Sequence, residues 1–205
     1  MSYRAIIIDN FYADPDAVRE LASNCPYVPK GQLSQNFAGE ESMEAYFTSA
    51  LVKKLEQAVN SRIIVDPQRN AFGRFRLAKS ADKRRTKVHS DNTDWTAVVY
   101  LTPDDSCQGG TQFFKHIPTG LESPPTEEDL KLLGMTREEF DVNVVLRDSL
   151  DPSKWEVTEE VSMKYNRCAL IKGKQYFHGS SHLFGDEFKN ARLTQNFFFN
   201  VVAND

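Results

Sequence analysis

His89 and Asp91, two residues apart in the stretch VHSDNTDW, offer an imidazole and a carboxylate. A strand would turn both to one face, because its side chains alternate with a period of two. Two donors leave most of a metal's coordination sphere unfilled, so a third ligand must come from elsewhere. The chain has four histidines, His89, His116, His178 and His182. His178 follows the apolar run QYF, where a strand end would aim it inward, whereas Ser180-Ser181-His182 has the composition of a turn. His178 is therefore the preferred third ligand and His182 the alternative. Two histidines and one carboxylate form the facial set that holds ferrous iron and leaves three positions open. Open positions suit oxygen chemistry, since oxygen and a bidentate co-substrate must both bind.

Arg192 stands fourteen residues after His178, in NARLTQNFFFN. Alternation there puts Arg192, Thr194 and Asn196 on one face of a strand and Leu193, Gln195 and Phe197 on the other. A guanidinium sent into a protein interior is costly unless an anion meets it. A dicarboxylate co-substrate is such an anion, matched to arginine in a two-pronged hydrogen bond, and the Thr194 hydroxyl could add a donor beside it. Without the upstream motif, Arg192 would be read as pairing with Asp186 or Glu187.

The elements that must position these residues are legible in outline. YRAIII at 3–8 has strand character, and Asp14-Pro15 opens a helix over 15–24 as cap and first residue. A second helix is expected over 42–60, capped by Ser42, with Phe47, Leu51, Leu55 and Val59 at spacings of four. From residue 62 the pattern changes to short strands, RIIVD, NAFGRFRLA, WTAVVYLT, GTQFFKH, NRCALIKG and LTQNFFFNVV, as in a sandwich or barrel. Between Ile117 and Tyr165 a polar segment interrupts the series, and within it TEEDLKLLGM and TREEFDVNVVL carry helical spacing and threonine caps. The expectation is one domain over 1–205, α+β with a mainly β core. It comprises an N-terminal strand and supporting helices (1–61), a core (62–116 and 165–202) and a helical insertion (117–164). Long connections in such cores tend to be functional. The insertion is accordingly expected to act as a lid or substrate-selecting wall, its removal altering substrate choice more than iron binding.

In the order HSD at 89–91, Tyr100-Leu101, Gly109-Gly110 leading into TQFF, His178, and Arg192-x-Thr194, the chain resembles the iron(II)- and 2-oxoglutarate-dependent oxygenases, most closely their prolyl-4-hydroxylase-like branch. The resemblance covers roughly 62–116 and 165–202 and implies a double-stranded β-helix, a jelly roll of cupin-like type. It implies that His89, Asp91 and His178 bind Fe(2+), and that Arg192 and Thr194, with Tyr100, hold the far carboxylate of 2-oxoglutarate. Oxygen would be the second co-substrate, and an unactivated C–H bond of a small molecule, amino acid or peptide side chain would be hydroxylated with release of succinate and CO2. Asp91 favours hydroxylation over halogenation, because halogenating relatives lack that carboxylate. The insertion and the long His-to-Arg spacing depart from the family pattern. The rival expectation is a cupin-like metal-binding module without 2-oxoglutarate turnover, which has no use for Arg192.

Other residues carry weaker signals. Arg74 and Arg76 flank Phe75 and so share a face; if that face is the interior, they are candidates to meet a substrate carboxylate. The run Lys83-Arg84-Arg85-Thr86-Lys87 could steer an anion toward the metal, but it has the composition of a solvated loop. His116 looks like a polar residue at a strand boundary, and Cys107 has no assigned role. The net charge of -4 argues against a nucleic-acid surface. No apolar run approaches the roughly 20 residues of a membrane span, and the N-terminus lacks the pattern of a signal peptide. Three cysteines with no close pair suit a reducing, cytoplasmic setting. The expected partner is a small-molecule or peptide substrate.

Overall fold

The structure, a computed structural model, describes residues 3–28, 37–66, 70–83 and 86–203. It is mainly β. Its strands are β1 (Ala5–Ile8), β2 (Glu40–Glu41), β3 (Ile63–Ile64), β4 (Phe72–Ala78), β5 (Trp95–Tyr100), β6 (Gly110–His116), β7 (Trp155–Ser162), β8 (Cys168–Ile171), β9 (His178–Ser180) and β10 (Arg192–Val201). The helices are α1 (Pro15–Asn24), α2 (Ser49–Val59), α3 (Glu127–Leu133) and α4 (Arg137–Phe140). The larger sheet runs β1-β8-β5-β10-β4-β2, with β3 on the far end of β10, and the smaller runs β7-β6-β9. All the pairings among the described residues are antiparallel. No helix of the described residues is long and apolar enough to cross a membrane.

Strand β10 shows how alternation builds the molecule. Leu193, Phe197 and Phe199 are buried on the outer side, with Phe72 and Phe75 of β4 and Leu51 and Leu55 of α2. Complete burial of one such side chain contributes roughly 1.5–3 kcal/mol. Gln195 shares that buried side, where its amide donates to the Tyr46 and Gly73 carbonyls and accepts from the Tyr12 hydroxyl. On the inner side Arg192, Thr194, Asn196 and Phe198 line a cavity. A second apolar cluster joins Val98, Tyr100, Ala169 and Ile171 of the larger sheet to Phe113 and Val161 of the smaller, so the two sheets pack face to face.

Helix α1 begins as expected, with Asp14 accepting from the Ala17 amide and proline in first place. The second helix is shorter than the sequence suggests. It spans Ser49–Val59 behind a Thr48 cap, and Asn60 ends it in the left-handed conformation. Ser42 is instead buried beside β4, accepting from the Phe75 amide and donating to the Glu44 carbonyl. A hydroxyl that satisfies a sheet amide cannot also cap a helix.

The segment 117–164 is helical only in its first part. α3 and α4 both open with capping boxes, on Thr126 with Asp129 and on Thr136 with Glu139. α4 runs on into a π-helical turn over Asp141–Leu146. The rest of the segment includes β7, which pairs along the whole of β6. Leu130, Phe140 and Val144 pack with Val88, Phe114, Trp155 and Phe177, which seats the helices on the outer side of the smaller sheet.

Candidate metal centre

His89 and His178 belong to different parts of the chain and are joined by their backbones. The His89 amide donates to the His178 carbonyl at 3.0 Å, and the His178 amide returns the bond at 2.8 Å. This isolated bridge extends β9 to the loop before β5. Asp91 is fixed separately. Its amide donates to the Gly173 carbonyl at 2.9 Å, and its Oδ2 accepts from the Thr96 hydroxyl. Gly173 is required there, because a Cβ at that position would collide with Asp91 Oδ2.

The ring orientations follow from hydrogen bonds that allow one tautomer. His89 Nδ1 lies 3.1 Å from the Lys87 carbonyl and His178 Nδ1 3.0 Å from the Tyr176 carbonyl. A carbonyl only accepts, so each Nδ1 carries a proton and donates it. Both Nε2 atoms are left to face Asp91, at 3.6 Å from Oδ1 for His89 and 3.2 Å from Oδ2 for His178. The three residues offer one donor atom each, all within 4.8 Å of one another. The His89 side chain is 41% exposed, but only into the cavity, and its partial removal from bulk water, assisted by the neighbouring His178, depresses its pKa to about 4. For Asp91, burial works to raise the pKa, but His178, His89 and Thr96 outweigh it and hold the carboxyl below its usual range. For His178, burial opposes the charge, yet Asp91 outweighs it and the pKa is raised.

Such a donor set fits a divalent first-row metal. Two imidazole nitrogens with their opposite ring nitrogens tied to carbonyls, and one carboxylate held by a hydroxyl, have the outer hydrogen bonding that orients ligands. His89, Asp91 and His178 would hold such a dication, and all three line the cavity. That cavity encloses about 770 Å³.

Arg192 and Thr194 line the same cavity. Arg192 leans toward β5, its guanidinium carbon 5.9 Å from the Tyr100 ring centre. Thr194 is completely buried, and its oxygen accepts from the Asn196 amide at 3.1 Å, which leaves the hydroxyl hydrogen for another partner. Tyr100 lies behind the wall. Its hydroxyl is 2.7 Å from that of Thr111, and it is Thr111 that lines the cavity.

The two candidate substrate arginines part company. Arg76 lines the cavity, while the Arg74 guanidinium donates to the Ser42 and Met43 carbonyls and does not line it. His182 is exposed, with Gln108 as its hydrogen-bond partner, and is not in the ligand cluster. His116 ends β6, as expected of a polar boundary residue, but it is buried at 1% exposure between Thr119 and Asp148. Trp155 of the insertion, which sequence reading did not connect to this residue, packs against it with ring centres 4.6 Å apart. Cys107 donates to the Thr102 carbonyl. Of the basic run, Arg84 and Arg85 lie outside the described residues. Sequence reading missed Thr96, Thr111, Gly173 and Glu41, whose roles depend on contacts far apart in the chain.

The insertion serves the site in two ways. Val145 and Leu146 reach the cavity wall. In addition, Ser149 accepts from the Lys87 amide at 2.8 Å and donates to the Val88 carbonyl at 3.0 Å, bracing the residues that lead into His89. The insertion is thus tied to the ligand loop as well as to the cavity wall.

Residues 2–199 match the model of DUF6445, described as a family of unknown function. No curated protein matches the chain. Among solved structures, the chain is similar to the Fe(II)/(alpha)ketoglutarate-dependent dioxygenase TqaL at 11% identity and a TM-score of 0.46, over 97% of this chain and 82% of that one. It is also similar to HygX from Streptomyces hygroscopicus, solved with nickel, 2-oxoglutarate and hygromycin B, at 14% identity and 0.45, over 95% and 82% of the two chains. For the non-heme iron oxygenase OrfP in complex with Fe, the values are 13% and 0.44, over 96% and 75%.

Proposed function

Because the chain belongs to DUF6445, a family of unknown function, its activity is read from its own site, and we propose that it is an iron(II)- and 2-oxoglutarate-dependent oxygenase. The observation that carries this reading is the meeting of the His89, Asp91 and His178 donor atoms within 4.8 Å, in a cavity also lined by Arg192 and Thr194. In this reading the facing sheets are a double-stranded β-helix of the prolyl-4-hydroxylase-like branch, and the reaction hydroxylates an unactivated C–H bond of a small molecule or peptide side chain.

Iron bound at the triad with 2-oxoglutarate supplies the oxidising chemistry: one oxygen atom of O2 enters succinate as CO2 leaves, and the other enters the substrate C–H bond. The protein's own residues supply placement. Lys87 and Tyr176, through their carbonyls, hold the two imidazoles in the ligating tautomer. Thr96 and the Gly173 carbonyl hold Asp91. Arg192 takes the far carboxylate of 2-oxoglutarate through its two-pronged donor array, with the Thr194 hydroxyl beside it. Tyr100 supports that end indirectly, through Thr111 and by packing against Arg192. Val98 and Ile171 line the cavity with apolar surface that limits water. Leu146 and Val145 form the substrate-selecting part of the wall. Asp91 occupies the place a halide would need, which supports hydroxylation over halogenation.

The test is an anaerobic titration of the ferrous protein with 2-oxoglutarate, following the visible charge-transfer absorption that chelation produces. A band in wild type that requires at least about ten times more 2-oxoglutarate in Arg192→Ala is the expected result, corresponding to loss of a charge-assisted pair. Iron binding with no band at saturating 2-oxoglutarate would reject the co-substrate and leave a cupin-like metal-binding module.

A further inference from the structure

On the other side of Thr194 from Tyr100 in the same sheet, three residues stand in register across three strands. Thr194 of β10 is opposite Arg76 of β4, and Arg76 is opposite Glu41 of β2. Arg76 Nε donates to Glu41 Oε2 at 2.7 Å, and the side chains are only 20% and 11% exposed. The Arg76 guanidinium carbon lies 3.8 Å from the Phe37 ring centre and 5.2 Å from that of Phe198. Glu41, Arg76, Phe37 and Phe198 all line the cavity that contains the His89, Asp91 and His178 donors.

A secluded ion pair is a poor way to stabilise a fold, since desolvation offsets much of its attraction and apolar residues of similar volume often serve as well. This one is also incompletely used. Glu41 is the one hydrogen-bond partner that the described residues give Arg76, and the bond engages Nε, so both terminal nitrogens are without a hydrogen bond from the described residues. The two phenyl rings hold the guanidinium plane in place by cation–π contact. On Glu41, the one ion-pair contact that the described residues give Oε1 is Arg74 at 3.9 Å, and Arg74 is spent on two backbone carbonyls.

The wall therefore presents two adjacent sites of opposite sign, a guanidinium fork and a carboxylate oxygen. A ligand carrying only a carboxylate would satisfy the fork but bring like charge against Glu41. A ligand carrying only an amine would meet Glu41 but leave the fork unmatched. A carboxylate and an ammonium on one carbon satisfy both, since like charges brought together are what select against wrong partners. Resting on the oxygenase reading above, we propose that the substrate is a free α-amino acid, its carboxylate on Arg76 and its ammonium on Glu41, with its side chain directed to the metal centre.

The test is a binding measurement and does not depend on turnover. The anaerobic ferrous protein with 2-oxoglutarate is screened by ligand-observed NMR against the twenty common L-amino acids, and each one that binds is measured by calorimetry beside its N-acetyl and carboxamide derivatives. Expected is saturable binding of at least one free amino acid, weakened at least about tenfold by blocking either group, by Arg76→Met and by the near-isosteric Glu41→Gln. The 2-oxoglutarate absorption should persist unchanged in both variants. Absence of binding by every free amino acid, or equal binding of the N-acetyl form, would overturn the proposal. So would a raised 2-oxoglutarate requirement in Arg76→Met, which would give that arginine to the co-substrate. Amino-acid binding that follows Glu41 and Arg76 in a protein showing no 2-oxoglutarate absorption would uphold this site while the co-substrate reading fell.

Discussion

His89 and His178 are held by a reciprocal pair of backbone hydrogen bonds, and their ring centres lie 4.7 Å apart. The ligand spacing is thus a property of the sheet. Side-chain truncation should remove a donor and leave the bridge standing. The His89 side chain is 41% exposed to the cavity, so His89→Ala opens no buried void. It does take the Nδ1 donor from the Lys87 carbonyl, so its metal-free stability is expected to fall by about 0.5–1.5 kcal/mol, the usual net worth of one hydrogen bond. Metal affinity, measured by anaerobic calorimetry, should fall by more than the roughly 10–100-fold typical of outer-sphere changes. Equal loss of fold and metal would show that the imidazole itself holds the bridge.

Gly173 gives a second, independent handle on Asp91. An added Cβ would meet Asp91 Oδ2 and come within 2.9 Å of Thr96 Oγ1. The carboxylate must then turn away from the imidazoles, although no ligand has been changed. Gly173→Ala is expected to weaken metal binding by about 10–100-fold with the far-ultraviolet circular dichroism unaltered. Unchanged affinity would mean that Asp91 has room to ligate from another rotamer.

The strands and the ligand loop were legible in the sequence because burial writes alternation into them. In β10 Leu193, Phe197 and Phe199 face the helices while Arg192, Thr194 and Asn196 face the cavity, Gln195 and Phe198 being the exceptions, so Arg192 could be assigned a side from pattern alone. β7 was not legible. Among its residues Glu156, Val157, Thr158, Glu159 and Glu160 are all exposed, and an edge strand that is solvated in this way shows no hydrophobic alternation. Glu41 was not legible either, since its meaning comes from register with Arg76, thirty-five residues away. Tyr100 shows the converse limit: its side of the strand was readable, but the hydroxyl's partner, Thr111, depends on how two sheets face each other.

Ser149 transmits the insertion's position to the ligand loop. It is 1% exposed, and its hydroxyl satisfies the Lys87 amide and the Val88 carbonyl immediately before His89. Ser149→Ala leaves both groups without that partner, at a cost of about 1–3 kcal/mol. The Lys87 carbonyl that orients His89 should loosen with them. The expected outcome is a lowered thermal midpoint together with several-fold weaker metal binding; a lowered midpoint with unchanged affinity would confine Ser149 to a structural role.

The insertion is also fastened by a buried acid–base pair remote from the metal ligands, and this fixes a pH dependence. His116 Nε2 lies 3.1 Å from Asp148 Oδ2, and the Trp155 indole donates to the Asp148 carbonyl. Burial lowers the His116 pKa from 6.5, with Asp148 opposing it. The bond from Arg147 is the main cause that lowers Asp148 from 3.8 to about 2, against burial and with help from His116. Both folded values lie below the unfolded ones, so the unfolded chain binds more protons and stability declines as pH falls. For His116 the decline begins near the unfolded pKa of 6.5. For Asp148 it runs from 3.8 down to about 2. Urea midpoints measured between about pH 8 and pH 5 should therefore fall in wild type and fall less in His116→Gln, whose amide still reaches Asp148 but does not titrate. Equal slopes in the two proteins would assign the loss to other groups.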